Sequence, residues 1–215
     1  MREIENALNG YPSRVIEHAT IVPILENLGY KRVNDKISDL KKKEILTPLK
    51  NGYYLYNPIG SGVLLSKEIV ANVLFGPSAV SLDFALSFYG LIPESVHEIT
   101  SITTKRTKIF KTPIGVFSYK QIKKELFNIG LEIGTSKNGN FMIACKERSL
   151  CDKIYFTKGV DLRSQKTMTQ FLEDDLRIDM DELIGADMEI FKEYAEASKS
   201  KKVQTLMKVV EGVQK

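Results

Sequence analysis

Three carboxylates, Asp83, Glu147 and Asp152, are the residues whose type could support hydrolytic chemistry in this chain. Acids that converge on a divalent cation can activate a water molecule for phosphodiester cleavage, which would make the chain a nuclease. Glu147 and Asp152 also lie in a segment of helical period with Arg148 and Lys153, and salt bridges along a helix explain these charges more simply. We therefore expect no catalytic residue and keep the nuclease as an alternative hypothesis.

The other residue types that carry chemistry do not form a recognisable site. His18 and His97 are the only histidines, and no nucleophile and acid stand around them at a catalytic spacing. Cys145 and Cys151 lack the second pair of ligands that a zinc site needs. The sequence contains no phosphate-binding P-loop. We expect no cofactor and no bound metal.

A run of basic and amide side chains at the start of a helical pattern predicts contacts with DNA. Val33, Ile37 and Leu40 recur at helical spacing, and Gly29 marks the end of a preceding helix that we expect to begin at an N-cap Thr20. Two helices joined by such a turn form a helix-turn-helix, whose second helix enters the major groove. The predicted DNA-binding residues of this helix and of the segment after it are Lys31, Arg32, Asn34, Lys36, Lys42, Lys50 and Asn51.

The apolar pattern changes to period two directly after this helix. Residues 46–56 read as two short strands around Asn51-Gly52, a pair that favours a tight hairpin. A basic helix followed by a hairpin is the order of a winged helix-turn-helix. Asp35 and Asp39 lie on the same helix and would repel DNA phosphates. The alternative interpretation of this region is a small helical domain used for protein contacts. In the helix that precedes this pair of elements, proline is tolerated only in the first turn, so we expect Pro23 to lie there.

A stretch of loop-forming residues, Asn57-Pro58-Ile59-Gly60-Ser61-Gly62, predicts a linker. It divides the chain into a winged helix-turn-helix domain at 1–57 and a second domain at 62–215. In the second domain residues 67–74, 81–89 and 146–156 have helical period, with Ser81 as an N-cap, and residues 98–104, 108–110, 114–119, 131–134 and 141–144 read as strands. The predicted class is α+β, with a mixed α/β core at about 62–158 and a helical tail at about 159–215.

Positive charge is concentrated in the middle of the chain. Residues 57–158 carry 13 basic against eight acidic residues, whereas residues 159–215 carry nine against 12. Two clusters in the middle segment predict a second basic surface that would grip DNA or approach an RNA. Its residues are Lys105, Arg106, Lys108, Lys120, Lys123 and Lys124.

Composition and segment lengths indicate a cytoplasmic protein. No apolar run approaches the roughly 18 residues of a membrane span. The N-terminus, MREIENALNG, lacks the apolar core of a signal peptide. The two cysteines fall in a segment that reads as buried helix, which suits a reducing compartment.

Four stretches in a fixed order resemble the AbiEi-type antitoxin family of type IV toxin–antitoxin and abortive-infection systems. They are KNGYYLY, then IVANVLFGPSAVSLDFALSFYGL, then ITSITTKRTK with TPIGVFSYKQI, and last IACKERSLCDKIY. The fourth departs from the family pattern, because Arg148-Ser149-Leu150 stands where Lys-Ala-Leu is usual and Cys145 replaces a small residue or proline. The resemblance covers residues 2–156 well and the tail loosely.

The resemblance implies a transcriptional autorepressor and antitoxin without catalysis. Its N-terminal domain would bind inverted repeats of double-stranded DNA in its own promoter. Its C-terminal domain would counter a co-encoded nucleotidyltransferase-like toxin, with direct contact left open. The alternative is a stand-alone winged-helix regulator whose C-terminal domain dimerises or senses a ligand.

Overall fold

A computed structural model describes residues 2–11, 13–57 and 65–214 of the chain. These residues form a mixed α/β structure with two separate sheets, in agreement with the α+β class expected from the sequence. Most of the predicted linker, from Pro58 to Gly62, lies outside the described residues. No helix of the described part is long and apolar enough to cross a membrane.

The described part of the N-terminal unit contains three helices and a small antiparallel sheet. Its elements are α1 (Arg2–Asn9), β1 (Val15–Glu17), α2 (His18–Asn27), α3 (Val33–Lys42), β2 (Leu46–Lys50) and β3 (Tyr53–Tyr56). The predicted hairpin is β2–β3, and β1 adds to it in the order β1-β3-β2. Ile37 and Leu40 of α3 are buried in the same cluster as Ile21 and Leu25 of α2, so α3 presents its polar side to solvent.

The turn between α2 and α3 is fixed by a glycine at the predicted position. Gly29 has a φ of 83°, which a residue with a Cβ rarely adopts. Its N–H donates to Glu26 O at 2.9 Å, and the Tyr30 N–H donates to Leu25 O at 3.0 Å. These two bonds form a Schellman motif, which closes α2 and sets the direction of α3.

The predicted start of α2 is wrong. The helix begins at His18, and Glu17, not Thr20, is its N-cap. The cause is the sheet: β1 pairs with β3 up to Glu17, and the His18 N–H donates to Gly52 O of the hairpin turn at 2.7 Å. Pro23 is therefore inside α2, beyond its first turn. A proline there removes one helical hydrogen bond.

The larger unit is built on a six-stranded mixed sheet. Its strands are β4 (Ser78–Val80), β5 (Ile99–Thr103), β6 (Lys108–Thr112), β7 (Gly115–Gln121), β8 (Leu131–Ser136) and β9 (Gly139–Ala144), in the order β6-β7-β5-β4-β9-β8. The β5–β7 and β4–β9 pairs are parallel, and the other pairs are antiparallel. The sequence predicted every strand of this sheet except β4, which is three buried residues long and shows no alternation.

Helices cover this sheet and continue into a tail. They are α4 (Lys67–Leu74), α5 (Leu82–Phe88), α6 (Lys124–Phe127), α7 (Lys146–Phe156), α8 (Gln165–Gln170), α9 (Met188–Ser198) and α10 (Lys201–Val213). Residues Phe171–Asp175 form a π-helical turn after α8, and Met180–Leu183 form a 3-10 turn. The predicted helical tail is thus observed, in shorter pieces than the periodicity indicated.

One hydrophobic cluster joins the two units. Val15, Leu49 and Leu55 of the small sheet lie in the same buried cluster as α4 residues such as Val70 and Leu74. The small sheet therefore packs against α4 and the larger sheet, and the side chains that form this contact are apolar and buried.

Candidate nucleic-acid interface

The first turn of α3 and the residues before it form an open polar surface. Lys31, Arg32 and Asn34 are exposed, and the Arg32 side chain is 86% accessible. They border a shallow groove of about 490 Å³ whose other side is formed by residues of α2, including His18 and Glu26. Three of the four side chains predicted at the start of this helix can therefore reach a ligand laid across it.

Lys36, the fourth predicted residue, has a different environment. Its side chain is 17% accessible, and its ammonium group lies 5.0 Å from the centre of the Tyr30 ring. It also lies 3.3 Å from the Asp39 carboxylate. Lys36 is held against the helix surface, and this position limits its reach towards a base.

Two aspartates on α3 neutralise part of its positive charge. Arg32 pairs with Asp35 at 2.5 Å, and Asp39 accepts from Lys43 at 3.1 Å as well as from Lys36. The hydrogen bond from Lys43, followed by that from Lys36, lowers the pKa of Asp39 despite some desolvation. The Arg32–Asp35 and Lys43–Asp39 pairs are open to solvent, and exposed ion pairs are weak, so a phosphate can replace either carboxylate in them.

Lys50, at the end of β2, faces the larger unit instead of free solvent. Its ammonium group lies 3.7 Å from the ring centre of Tyr53 and 5.3 Å from that of Phe110 on β6. Desolvation, with a smaller contribution from the nearby positive charge of Lys105, lowers the pKa of Lys50. Asn51 in the hairpin turn is exposed. Lys42, at the end of α3, is exposed as well.

The two predicted basic sets meet at this position. Lys105 donates to Gly76 O, and its ammonium group lies 5.3 Å from the Phe75 ring, while the ammonium group of Lys108 lies 5.9 Å from the Phe110 ring. We call Lys50, Lys105, Lys108, Phe75 and Phe110 the lysine–aromatic cluster. It combines side chains from both units on one surface.

The rest of the second basic set lies elsewhere. Lys108 stands opposite Tyr119 in the β6–β7 pair, so Lys120, the next residue of β7, projects from the other face of the sheet. Lys123 and Lys124 are exposed at the start of α6, and Arg106 is exposed in the loop before β6. The predicted second surface is thus divided between the two faces of the sheet.

The three acids of the nuclease hypothesis have separate partners. Asp83 pairs with Lys153 at 2.5 Å, and Glu147 accepts the Asp187 N–H at 3.3 Å. Both oxygens of the buried Asp152 accept hydrogen bonds from protein side chains. In the described ranges, no three histidine, cysteine or acidic side chains are grouped so that they could hold a metal ion.

Asp152 is the centre of a buried network that the sequence did not reveal. Ser81 and Tyr194 each donate to it at 2.7 Å, and Arg148 Nε donates at 2.9 Å. Arg148, which also donates to Ile129 O, is as fully buried as Asp152. The i, i+4 spacing of Arg148 and Asp152 predicts their ion pair. Only the apolar residues around these two on α7 could have indicated that the pair is buried. Ser81 holds the N-cap position of α5 as predicted, yet its hydroxyl serves this network.

The two cysteines are buried, as their surroundings predicted. Burial raises the pKa of the Cys145 thiol to about 12 and that of Cys151 well above its usual value. A protonated, enclosed thiol is a poor nucleophile and a poor metal ligand.

Comparison of the chain with models of protein families gives no match, and comparison with curated proteins gives none either. The residues of the site and the order of the sequence motifs therefore carry the functional proposal.

Proposed function

We propose that the chain is a DNA-binding transcriptional autorepressor and antitoxin of a type IV toxin–antitoxin system. The observation that carries the DNA-binding part is the open first turn of α3, set by the Gly29 turn and followed by the β2–β3 hairpin. Helix, turn, exposed polar helix and hairpin form a winged helix-turn-helix in this proposal. It acts in the cytoplasm, where its operator is.

In this proposal α3 enters the major groove with its N-terminal residues towards the bases. Arg32 suits the O6 and N7 atoms of guanine, and Asn34 suits adenine, because each side chain can form two hydrogen bonds to that base edge. Lys31 and Lys42, which are both exposed, would contact phosphates. Asn51 adds a contact from the hairpin.

The antitoxin part of the proposal rests on the order of the four sequence motifs. The larger unit would counter a co-encoded nucleotidyltransferase-like toxin, through direct contact or through a shared target. In this proposal Asp83, Glu147 and Asp152 have structural roles, and each contacts a protein partner.

Gel-shift titration on the DNA upstream of the chain's own gene tests the DNA-binding part. Full-length Arg32→Ala and Asn34→Ala should each weaken binding by about 1–3 kcal/mol if these residues read bases. Lys166→Ala, an exposed lysine on α8, is the matched control for loss of one charge. Binding that is unchanged in the Arg32→Ala/Asn34→Ala double variant would remove α3 as the reading element.

Co-expression with the neighbouring gene tests the antitoxin part. Full-length protein should rescue growth from a nucleotidyltransferase-like neighbour, and the Arg32→Ala/Asn34→Ala variant should still rescue when both genes are expressed from foreign promoters. Growth arrest that persists with the wild-type protein would contradict the proposal.

A stand-alone regulator with a ligand-sensing domain is the second candidate, and one observation favours it. A groove of about 490 Å³ lies on the sheet face that carries Lys120, between β7 and the end of α7. Its lining is mixed, with Ile109 and Phe156 beside the Asp83–Lys153 pair and Ser118. A volume in this range suits a small molecule. A gene neighbourhood without a nucleotidyltransferase would favour this candidate.

A further inference from the structure

The two edges of the six-stranded sheet differ in how they are protected. β6 carries Lys108 and Lys111 and lies against β2 of the small unit. Lysines on an edge strand and a covering element both discourage further strand pairing. β8, the other edge, has the sequence LEIGTS with a single charge and no proline. It pairs with β9 over its full length without a bulge.

The β8 edge is open along most of its length. Glu132, Ile133 and Thr135 are exposed, and among residues 2–11, 13–57 and 65–214 no backbone group outside β9 hydrogen-bonds to the strand. In an antiparallel pair every second residue directs its N–H and C=O away from the partner strand. β8 therefore offers a row of free donors and acceptors to another strand.

An apolar strip crosses this edge. Ile133 is 68% accessible, and Met142, directly opposite it on β9, is 38% accessible. Directly opposed residues share one face of a sheet, so the two side chains form a continuous exposed contact surface.

We propose that β8 pairs antiparallel with β8 of a second copy of this chain. The side chains select one two-fold register, centred on Ile133. It places Ile133 against Ile133 of the second copy and extends the apolar strip through both Met142 side chains. Glu132 then faces Gly134 of the second copy, so no like charges are opposed, whereas a register centred on Glu132 would oppose two glutamates. This inference is independent of the proposed function.

The contact is small, because it consists of one strand pair and one apolar strip. We expect a weak, reversible dimer, as is usual for contacts at the small end of the range of interface sizes. Sedimentation velocity of the full-length protein over about 1–200 µM should show a monomer that converts to a dimer. A monomer at every concentration would overturn the proposal and leave the edge for a different protein.

Two charge variants test the location of the contact. Ile133→Lys places two lysines opposite each other and should weaken the dimer by about tenfold or more. Ile184→Lys is the matched control, because Ile184 is another exposed isoleucine, 57% accessible, outside the sheet. Both variants change exposed positions, and their thermal unfolding should match that of the wild type. A dimer that is equally stable in both variants would refute pairing through β8.

Cysteine cross-linking tests the register. In the Ile133→Cys variant the paired residues lie about 4.5–5.5 Å apart between Cα atoms, within reach of a disulfide. In the Thr135→Cys control they lie about 13 Å apart, because each Thr135 faces Leu131 of the second copy. Mild oxidation should therefore link the first variant only. Linkage of Thr135→Cys with none of Ile133→Cys would contradict the assigned register.

Discussion

Asp35 and Asp39 decide how much of the positive charge on α3 is available to a phosphate. Asp35 holds Arg32 at 2.5 Å, in a pair that is exposed on both sides. Asp35→Asn should release Arg32 and remove a repulsive charge, so we expect DNA binding to tighten by about 0.2–1 kcal/mol, the usual range of an exposed pair. Fluorescence anisotropy at several salt concentrations measures the change.

The control for this prediction is Asp161→Asn. Asp161 pairs with Arg163 at 3.1 Å, is equally exposed, and lies in the tail away from α3. The Asp161→Asn substitution should leave DNA binding unchanged. Weaker binding of Asp35→Asn would show that the aspartate itself contacts DNA, for example by accepting from a cytosine amino group.

The buried thiol of Cys145 predicts a loss of stability in alkaline solution. Its pKa is about 12 in the folded chain against an ordinary 9.0, so above pH 9 the unfolded chain releases a proton that the folded chain keeps. This stabilising contribution is complete below pH 9 and is lost as pH rises towards 12. Burial also raises the pKa values of Tyr119 and Tyr194.

Urea unfolding between pH 7 and 10.5 measures this loss. The free energy of unfolding should be constant at first and then fall as pH rises. For Cys145→Ser the slope of this fall should be smaller, by up to about 1.4 kcal/mol per pH unit. Serine keeps an oxygen that can accept the Arg148 N–H at the start of α7, as the Cys145 sulfur does at 3.4 Å. Identical slopes for the two proteins would contradict the assignment to this thiol.

At the level of elements, the network around Asp152 connects α7 to α5 and to α9. Asp152→Ala leaves Arg148 buried without its partner, so we expect a loss of about 3–5 kcal/mol in the free energy of unfolding. Ser81→Ala removes one neutral donor and should cost about 1–3 kcal/mol. Urea denaturation of the three proteins gives the comparison. A loss below about 1 kcal/mol for Asp152→Ala would mean that the network is not structural.

The sequence predicted long elements better than short ones. α7 was expected over 146–156 and is observed as Lys146–Phe156, because eleven residues suffice to display a helical period. β1 and β4 have three residues each, too few to show alternation. The start of α2 was misplaced because the pairing of β1 with β3 overrides the local preference of Thr20 for an N-cap.

At the level of the whole molecule, the shared hydrophobic cluster predicts that the two units unfold together. Val15, Leu49 and Leu55 are buried against α4, although the linker pattern suggested independent domains. Leu55→Ala should cost about 2–5 kcal/mol and should shift one common transition. Circular dichroism and tyrosine fluorescence during urea unfolding should coincide, for the wild type and for the variant.

The matched control is Ile184→Ala, which shortens an exposed side chain and should leave the transition in place. Two separated transitions in the wild type would show that the units are independent. If they unfold together, point variants of the full chain separate the two proposed activities more cleanly than fragments, since either fragment would expose the apolar residues of the contact.

The composition of the candidate site was predictable, and its assembly was not. Exposed cations at the start of α3 follow from the helical pattern, because Ile37 and Leu40 fix which side of the helix is buried. The meeting of Lys50 with Lys105 depends on how two units dock, and no local pattern encodes that. The separation of Lys108 from Lys120 depends on the register of the β6–β7 pair.

The position of Lys50 has a consequence for regulation. Its ammonium group contacts rings from both units, Tyr53 of the hairpin and Phe110 of the larger sheet. If Lys50 turns towards a phosphate, it must leave Phe110 and weaken the contact between the units. Thermodynamic linkage makes this relation reciprocal. A partner that tightens the contact lowers the affinity for DNA, and DNA lowers the affinity for that partner by the same factor. Through Lys50, a molecule that binds the larger unit would then change the occupancy of the promoter.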